Sequence, residues 1–144
     1  MTLRLSTLLL VALGGSVRSA WAQDSLSFDP TVTAVVSGGR WTADGRTGYY
    51  RLVVRSRGVD HATSALVIEW LADPSRGAAT TIVQSVAVKE LSGMGRLDRP
   101  QIGQFLKGWR AWIQLTDPQG GPGSQTTRAI DLGPPGEFKV KQTQ

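Results

Sequence analysis

The chain has 144 residues, a formal net charge of +5, one histidine and no cysteine. Without cysteine it can form no disulfide, thiol nucleophile or thiolate metal site. Its apolar fraction of 40% is ordinary for a globular protein and sufficient for a core without covalent staples.

Residues 1–22 have the three-part pattern of a secretory signal. Arg4 supplies the positive start, Leu8-Leu9-Leu10-Val11-Ala12-Leu13 the apolar centre, and Ala20-Trp21-Ala22 the small residues before a cut. The apolar run is far shorter than the roughly 20 residues that span a bilayer, and Gly14, Gly15 and Arg18 interrupt it. Cleavage after Ala22 is therefore expected, with no transmembrane anchor remaining. That leaves one domain over 23–144, 122 residues carrying +3, because the segment removed holds two arginines and no acid. Export to a bacterial periplasm or beyond makes nucleic acid an unsuitable partner. Envelope proteins and anionic glycans are the partners a mildly basic exported domain meets.

In chain order, Gln23–Pro30 is an extended lead-in, and Thr31–Val36 is a β-branched run with Val32, Ala34 and Val36 on one side. Ser37-Gly38-Gly39 marks a bend or bulge, and Asp44-Gly45 a hairpin turn. Tyr49–Ser56 and Ser64–Leu71 then form the central pair. Tyr50, Leu52 and Val54 alternate with Arg51, Val53 and Arg55; Leu66, Ile68 and Trp70 alternate with Val67, Glu69 and Leu71. Because strand side chains alternate between faces, antiparallel pairing sets Tyr50 against Trp70, Leu52 against Ile68 and Val54 against Leu66. On the other face Arg51 meets Glu69. A slip of one residue would set apolar positions against charged ones, so the pattern selects this register.

Thr81–Leu91 is the next strand, with Ile82, Gln84, Val86 and Val88 sharing a face. Ser92–Arg99 is a connection. Asp98-Arg99-Pro100 has the form of a helix start, and Ile102, Phe105, Leu106 and Trp109 follow at helical spacing. Gly103 and Gly108 limit that helical turn, near residues 99–107, to at most about two turns. Trp109–Thr116 is a strand with Trp109, Ala111, Ile113 and Leu115 inward and Arg110, Trp112 and Gln114 outward. Thr126–Leu132 has Arg128, Ile130 and Leu132 on one side, and Phe138 and Val140 make a short last strand. About seven strands separated by turn signals predict an all-β, immunoglobulin-like antiparallel β-sandwich, although the Cys…Trp…Cys signature is absent.

The chemistry-bearing residues favour binding over catalysis. His61 beside Asp60, with Ser56 and Ser64 nearby, gives an alternative reading as a small hydrolase, but adjacency in sequence does not supply triad geometry. One histidine, no cysteine and scattered acids offer no metal site. No cofactor motif is present. Arg51, Arg55 and Arg57 project from one face of the central hairpin, and Arg110 and Trp112 from another strand. If these strands share a sheet, the guanidinium groups and indole form one surface for sugars or anions. The expectation is a non-enzymatic binding or assembly module of the cell envelope that engages a protein or an anionic glycan.

Overall fold

A computed structural model describes residues 29–58, 63–74, 79–121 and 123–142. The expected signal segment, most of the lead-in and the Asp60-His61 pair lie outside these residues. The described chain forms eight strands: β1 (Val32–Ala43), β2 (Arg46–Arg57), β3 (Thr63–Ala72), β4 (Ile82–Ala87), β5 (Arg96–Phe105), β6 (Gly108–Thr116), β7 (Gln125–Leu132) and β8 (Phe138–Gln142). A 3-10 turn at Lys89–Leu91 follows β4. The strands make two antiparallel sheets, ordered β1-β2-β3-β4 and β5-β6-β7-β8. The all-β sandwich is thus present with eight strands, laid out as two meanders in sequence order.

The central pair has the register its alternation dictates. Tyr50 faces Trp70, Leu52 faces Ile68, Val54 faces Leu66 and Arg51 faces Glu69. Leu52, Val54, Leu66, Ile68 and Trp70 have no solvent exposure. β1 joins β2 through Asp44-Gly45, both at positive φ (50° and 71°), as a two-residue hairpin turn requires. A register shift between Gly38 and Trp41 marks the expected bulge. At Gly39 (φ +64°) a Cβ would come within 2.9 Å of the Tyr50 and Trp109 rings. Only glycine combines that backbone with so close an approach. In β4 a register shift opposite Trp70 and Leu71 turns Ile82 outward, to 51% exposure, while Val83 and Val86 pack on the core.

Residues 96–105 are a strand, where a helical turn was expected. The Asp98-Arg99-Pro100 signal belongs to a β-bulge: the pairing with β6 shifts between Asp98 and Gln101, and Arg99 has a left-handed φ of 48°. β5 lies at a sheet edge, where proline removes no ladder hydrogen bond. Trp109, the last residue of the apparent helical period, lies across the Leu106-Lys107 turn on β6. This strand is the eighth.

The core lies between the sheets. From the first come Trp41, Tyr50, Leu52, Val54, Leu66, Ile68 and Trp70; from the second, Leu97, Ala111, Ile113, Leu115, Ile130 and Leu132. Polar ties cross it at two places. The Ser64 hydroxyl, 2% exposed, accepts the Leu97 amide at 3.2 Å, and the Ser64 amide donates to the Gly95 carbonyl at 2.9 Å. The Gly133 carbonyl, in the β7–β8 connection, accepts both the Trp70 indole N–H (2.9 Å) and the Tyr50 hydroxyl (3.2 Å). The Tyr50 and Trp70 rings meet edge to face at 6.3 Å.

Burial pushes the Tyr50 phenol from 10.0 up to about 12. A raised folded-state value means that its contribution to stability is complete below pH 10 and is lost as pH rises toward about 12. In Tyr50→Phe this part of the alkaline destabilisation should disappear. Chemical denaturation of both proteins across that pH window measures it; parallel curves would refute the assignment.

Candidate functional site

The five arginine and tryptophan positions singled out in the sequence fall on different sheets. Arg51, Arg55 and Arg57 are on β2 in the first sheet, and Arg110 and Trp112 on β6 in the second. The condition for a single shared surface is therefore not met, and each sheet carries its own set.

On the first sheet the arginines are largely neutralised. Arg51 Nε donates to Glu69 Oε2 at 2.5 Å, and Arg55 pairs with Asp29 at 2.7 Å. Thr31, through its hydroxyl and amide, holds the Asp29 carboxyl below its usual value, with Arg55 adding to the effect. Arg57 is exposed at the end of β2. A concavity of about 500 Å3 is lined by Asp29, Val35, Arg51, Val53, Arg55 and Glu69, so its charges already have internal partners. Glu69 is only 8% exposed, which makes this ion pair more than the exposed contact that alternation alone implies. Arg51→Met should cost about 1–3 kcal/mol by leaving a nearly buried carboxylate unpaired, while Arg51→Met combined with Glu69→Met should recover most of that loss. A double-mutant cycle from urea melts checks this; additive losses would refute it.

The second sheet presents a different surface. Cross-strand pairing sets Gln101 opposite Trp112, Gly103 opposite Arg110 and Asp98 opposite Gln114. The outward side of β5 and β6 therefore carries Gln101, Gly103 and Phe105 beside Gln114, Trp112 and Arg110. A Cβ on Gly103 would come within 3.0 Å of the Trp112 ring, so the missing side chain lets the indole lie down across β5. Phe105 meets Trp112 edge to face at 6.5 Å, and the Arg110 guanidinium stacks 3.4 Å from the centre of the Phe105 ring. Arg110 is further held by Asp131 at 2.6 Å. Its hydrogen bond lowers the Asp131 carboxyl below the usual range, helped by the charges of Lys141 and Lys139.

Beside this aromatic group lies an open concavity of about 420 Å3, lined by Arg99, Gln101, Trp112, Gln114 and Thr127, with Ile113. Arg99 reaches it from the β-bulge; bulges commonly re-aim side chains at binding sites. Among the described residues no carboxylate pairs with Arg99. Phe105 is 39% exposed, and Leu106, at the hairpin tip, is 84% exposed with a left-handed φ of 54°. A bulky residue in that conformation is strained. Leu106→Gly should therefore raise stability by about 1 kcal/mol. A thermal melt tests this; an unchanged or lowered midpoint would show that the turn gains nothing from glycine.

Sequence reasoning found Trp112 and Arg110 and missed Arg99, Gln101, Phe105, Gln114 and Thr127 as neighbours of one site. Gln101, Gly103 and Phe105 alternate with Pro100 and Ile102, which was a usable strand signal. The proline and the accidental helical spacing obscured it. Ser56 and Ser64 both have partners: Ser56 Oγ donates to the Thr31 carbonyl at 3.3 Å, and Ser64 ties the two sheets. Among the described residues no group of three or more His, Cys, Asp or Glu is arranged to hold a metal ion, and no helix is long and apolar enough to cross a membrane.

Fold and site together define a two-sheet β-sandwich with a tryptophan-walled polar concavity on one outer face. No protein-family model, curated protein or solved structure matches the chain.

Proposed function

We propose that this chain is an exported, non-enzymatic binding module of the bacterial cell envelope, and that it engages an anionic glycan on the outer face of β5, β6 and β7. The observation that carries the reading is the composition of one concavity: an indole, two primary amides, a hydroxyl and a guanidinium around a single space. A flat apolar ring next to planar hydrogen-bonding groups suits a sugar, which has an apolar C–H face and a rim of hydroxyls. Arg99 adds a cation free to meet an acidic substituent, and its planar donors match a carboxylate or sulfate. Arg110, already held by Asp131 and stacked on Phe105, stiffens the platform.

Export is supported by Arg4, the apolar centre over residues 8–13 and Ala20-Trp21-Ala22. Cleavage after Ala22 would release the remainder into the periplasm or the medium. There the available partners are envelope polysaccharides and proteins. The glycan is favoured over a protein because the concavity sets the Trp112 ring among two amides, a hydroxyl and a guanidinium, a match for a ring with an apolar face and a hydroxyl rim.

Retention of the protein on acidic envelope polysaccharide, compared with a neutral one, tests the proposal. Trp112→Ala should weaken retention about tenfold, equivalent to ~1.4 kcal/mol. Added salt should weaken it further through screening of Arg99. His61→Ala should leave it unchanged. Equal retention of Trp112→Ala and the unmodified protein would overturn the reading. Capture of an envelope protein in place of polysaccharide would move the assignment to the protein partner.

A further inference from the structure

A third, smaller cavity is lined by Arg128, which points to the inner side of the second sheet. Arg128 on β7 is opposite Ile113 on β6 and Gln142 on β8. It precedes Ile130 by two residues, so it points to the same side as that core residue. Ile113 and Ile130 are 1% and 0% exposed. Arg128 is half-buried overall, and a charged residue that is not fully exposed usually has a partner. Here the Nε atom is sealed from solvent and has no hydrogen-bond partner among the described residues. No carboxylate among them pairs with the guanidinium. The two terminal nitrogens also have no partner among the described residues, but they are not sealed, so an acceptor can reach them.

The space around it measures about 220 Å3 and is lined by Arg128, Glu90, Leu91, Met94 and Val140. Leu91, in the 3-10 turn, is 1% exposed, and Val140 packs against the core. Both give a dry apolar wall. Met94, 52% exposed, forms an adaptable rim. Glu90 lines the same cavity without forming an ion pair with Arg128. The cavity therefore offers a cationic donor and an anionic acceptor, with apolar contacts between them.

We propose that this cavity binds a small aliphatic carboxylate. The carboxylate accepts hydrogen bonds from the terminal guanidinium nitrogens of Arg128, and the alkyl part lies against Leu91, Met94 and Val140. The Glu90 carboxylate favours a ligand that also carries an N–H donor. The chemistry is that of an apolar amino-acid residue with a free carboxylate and an acylated nitrogen, met either as a free N-acyl amino acid or as the C-terminus of a peptide. The volume accommodates about one such residue. The site is independent of the glycan surface, since Arg128 faces inward and its neighbour Thr127 lines the outer concavity.

Nuclear magnetic resonance of the 15N-labelled protein reads the site through the Arg128 Nε–H signal, which belongs to the same conjugated guanidinium as the terminal nitrogens. Titration with N-acetylvaline should shift that signal together with the amides of Leu91 and Val140. N-acetylvalinamide, which lacks the carboxylate, should bind about tenfold more weakly or less, the expected loss of a charge-assisted hydrogen bond. Arg128→Met should abolish binding. Glycylglycylvaline binding as well as or better than N-acetylvaline identifies a peptide terminus as the source; binding of N-acetylvaline alone identifies the free amino acid. Either result supports the site. An Nε–H signal unmoved by both carboxylates at tens of millimolar overturns it, as does equal binding of the carboxamide. Because the decisive signal belongs to the unmodified protein, a poorly folding Arg128→Met variant would not obscure the answer.

Discussion

The two sheets are held in register by a carbonyl with two donors. Gly133, in the turn between β7 and β8, accepts the Trp70 indole N–H and the Tyr50 hydroxyl, both from the opposite sheet. A carbonyl oxygen has two lone pairs, and here both are used. Trp70 has no exposure and Tyr50 only 2%, so neither polar tip has water as a substitute. Dispersion and hydrophobic burial bring the sheets together without specifying direction; these two bonds, with the Ser64 ties to Leu97 and Gly95, give the contact its direction. The same constraint positions the outer faces, because the β2–β3 pair that supplies both donors also sets Arg51 against Glu69.

Each sheet repeats one device with a different outcome. In both, an arginine on the second strand pairs outward with an acid on the third: Arg51 with Glu69, and Arg110 with Asp131. In both, the residue before the arginine is an aromatic turned inward, and Tyr50 and Trp109 lie on either side of Gly39. The next outward position differs. It is Val53 in the first sheet, 6% exposed, and Trp112 in the second. The first arrangement closes over its own charges. The second leaves an indole face beside unpaired polar groups, and that difference separates a structural surface from a candidate binding surface.

The central hairpin was legible residue by residue because both its strands have one wholly apolar face, and a single register satisfies both. The outward positions of Arg110 and Trp112, and the shared side of Arg128, Ile130 and Leu132, followed from the same alternation. β5 was not legible for a physical reason. An edge strand tolerates proline, and a bulge tolerates a left-handed arginine, so the local signals matched those of a helix start. Arg99 and Gln101 line the candidate concavity from β5, so they were missed with it. The partition of the arginines between two sheets was also beyond the reach of alternation, which gives the facing of a side chain but not the sheet it belongs to. That Arg128 Nε has no partner among the described residues is a matter of tertiary packing alone.

The serial layout of the sheets bears on how the chain reaches this structure. Every strand pairs only with its immediate neighbours in sequence, so hairpin zippering requires only short loop closures. Each four-stranded half can assemble its backbone ladder locally, yet each then exposes a full apolar face that only the other half covers. The serial pairing therefore predicts that the two ribbons meet after their own ladders form. Residues that act across the gap, Gly133 and Ser64 among them, belong to the late stage of folding, while the β2–β3 register belongs to the early one.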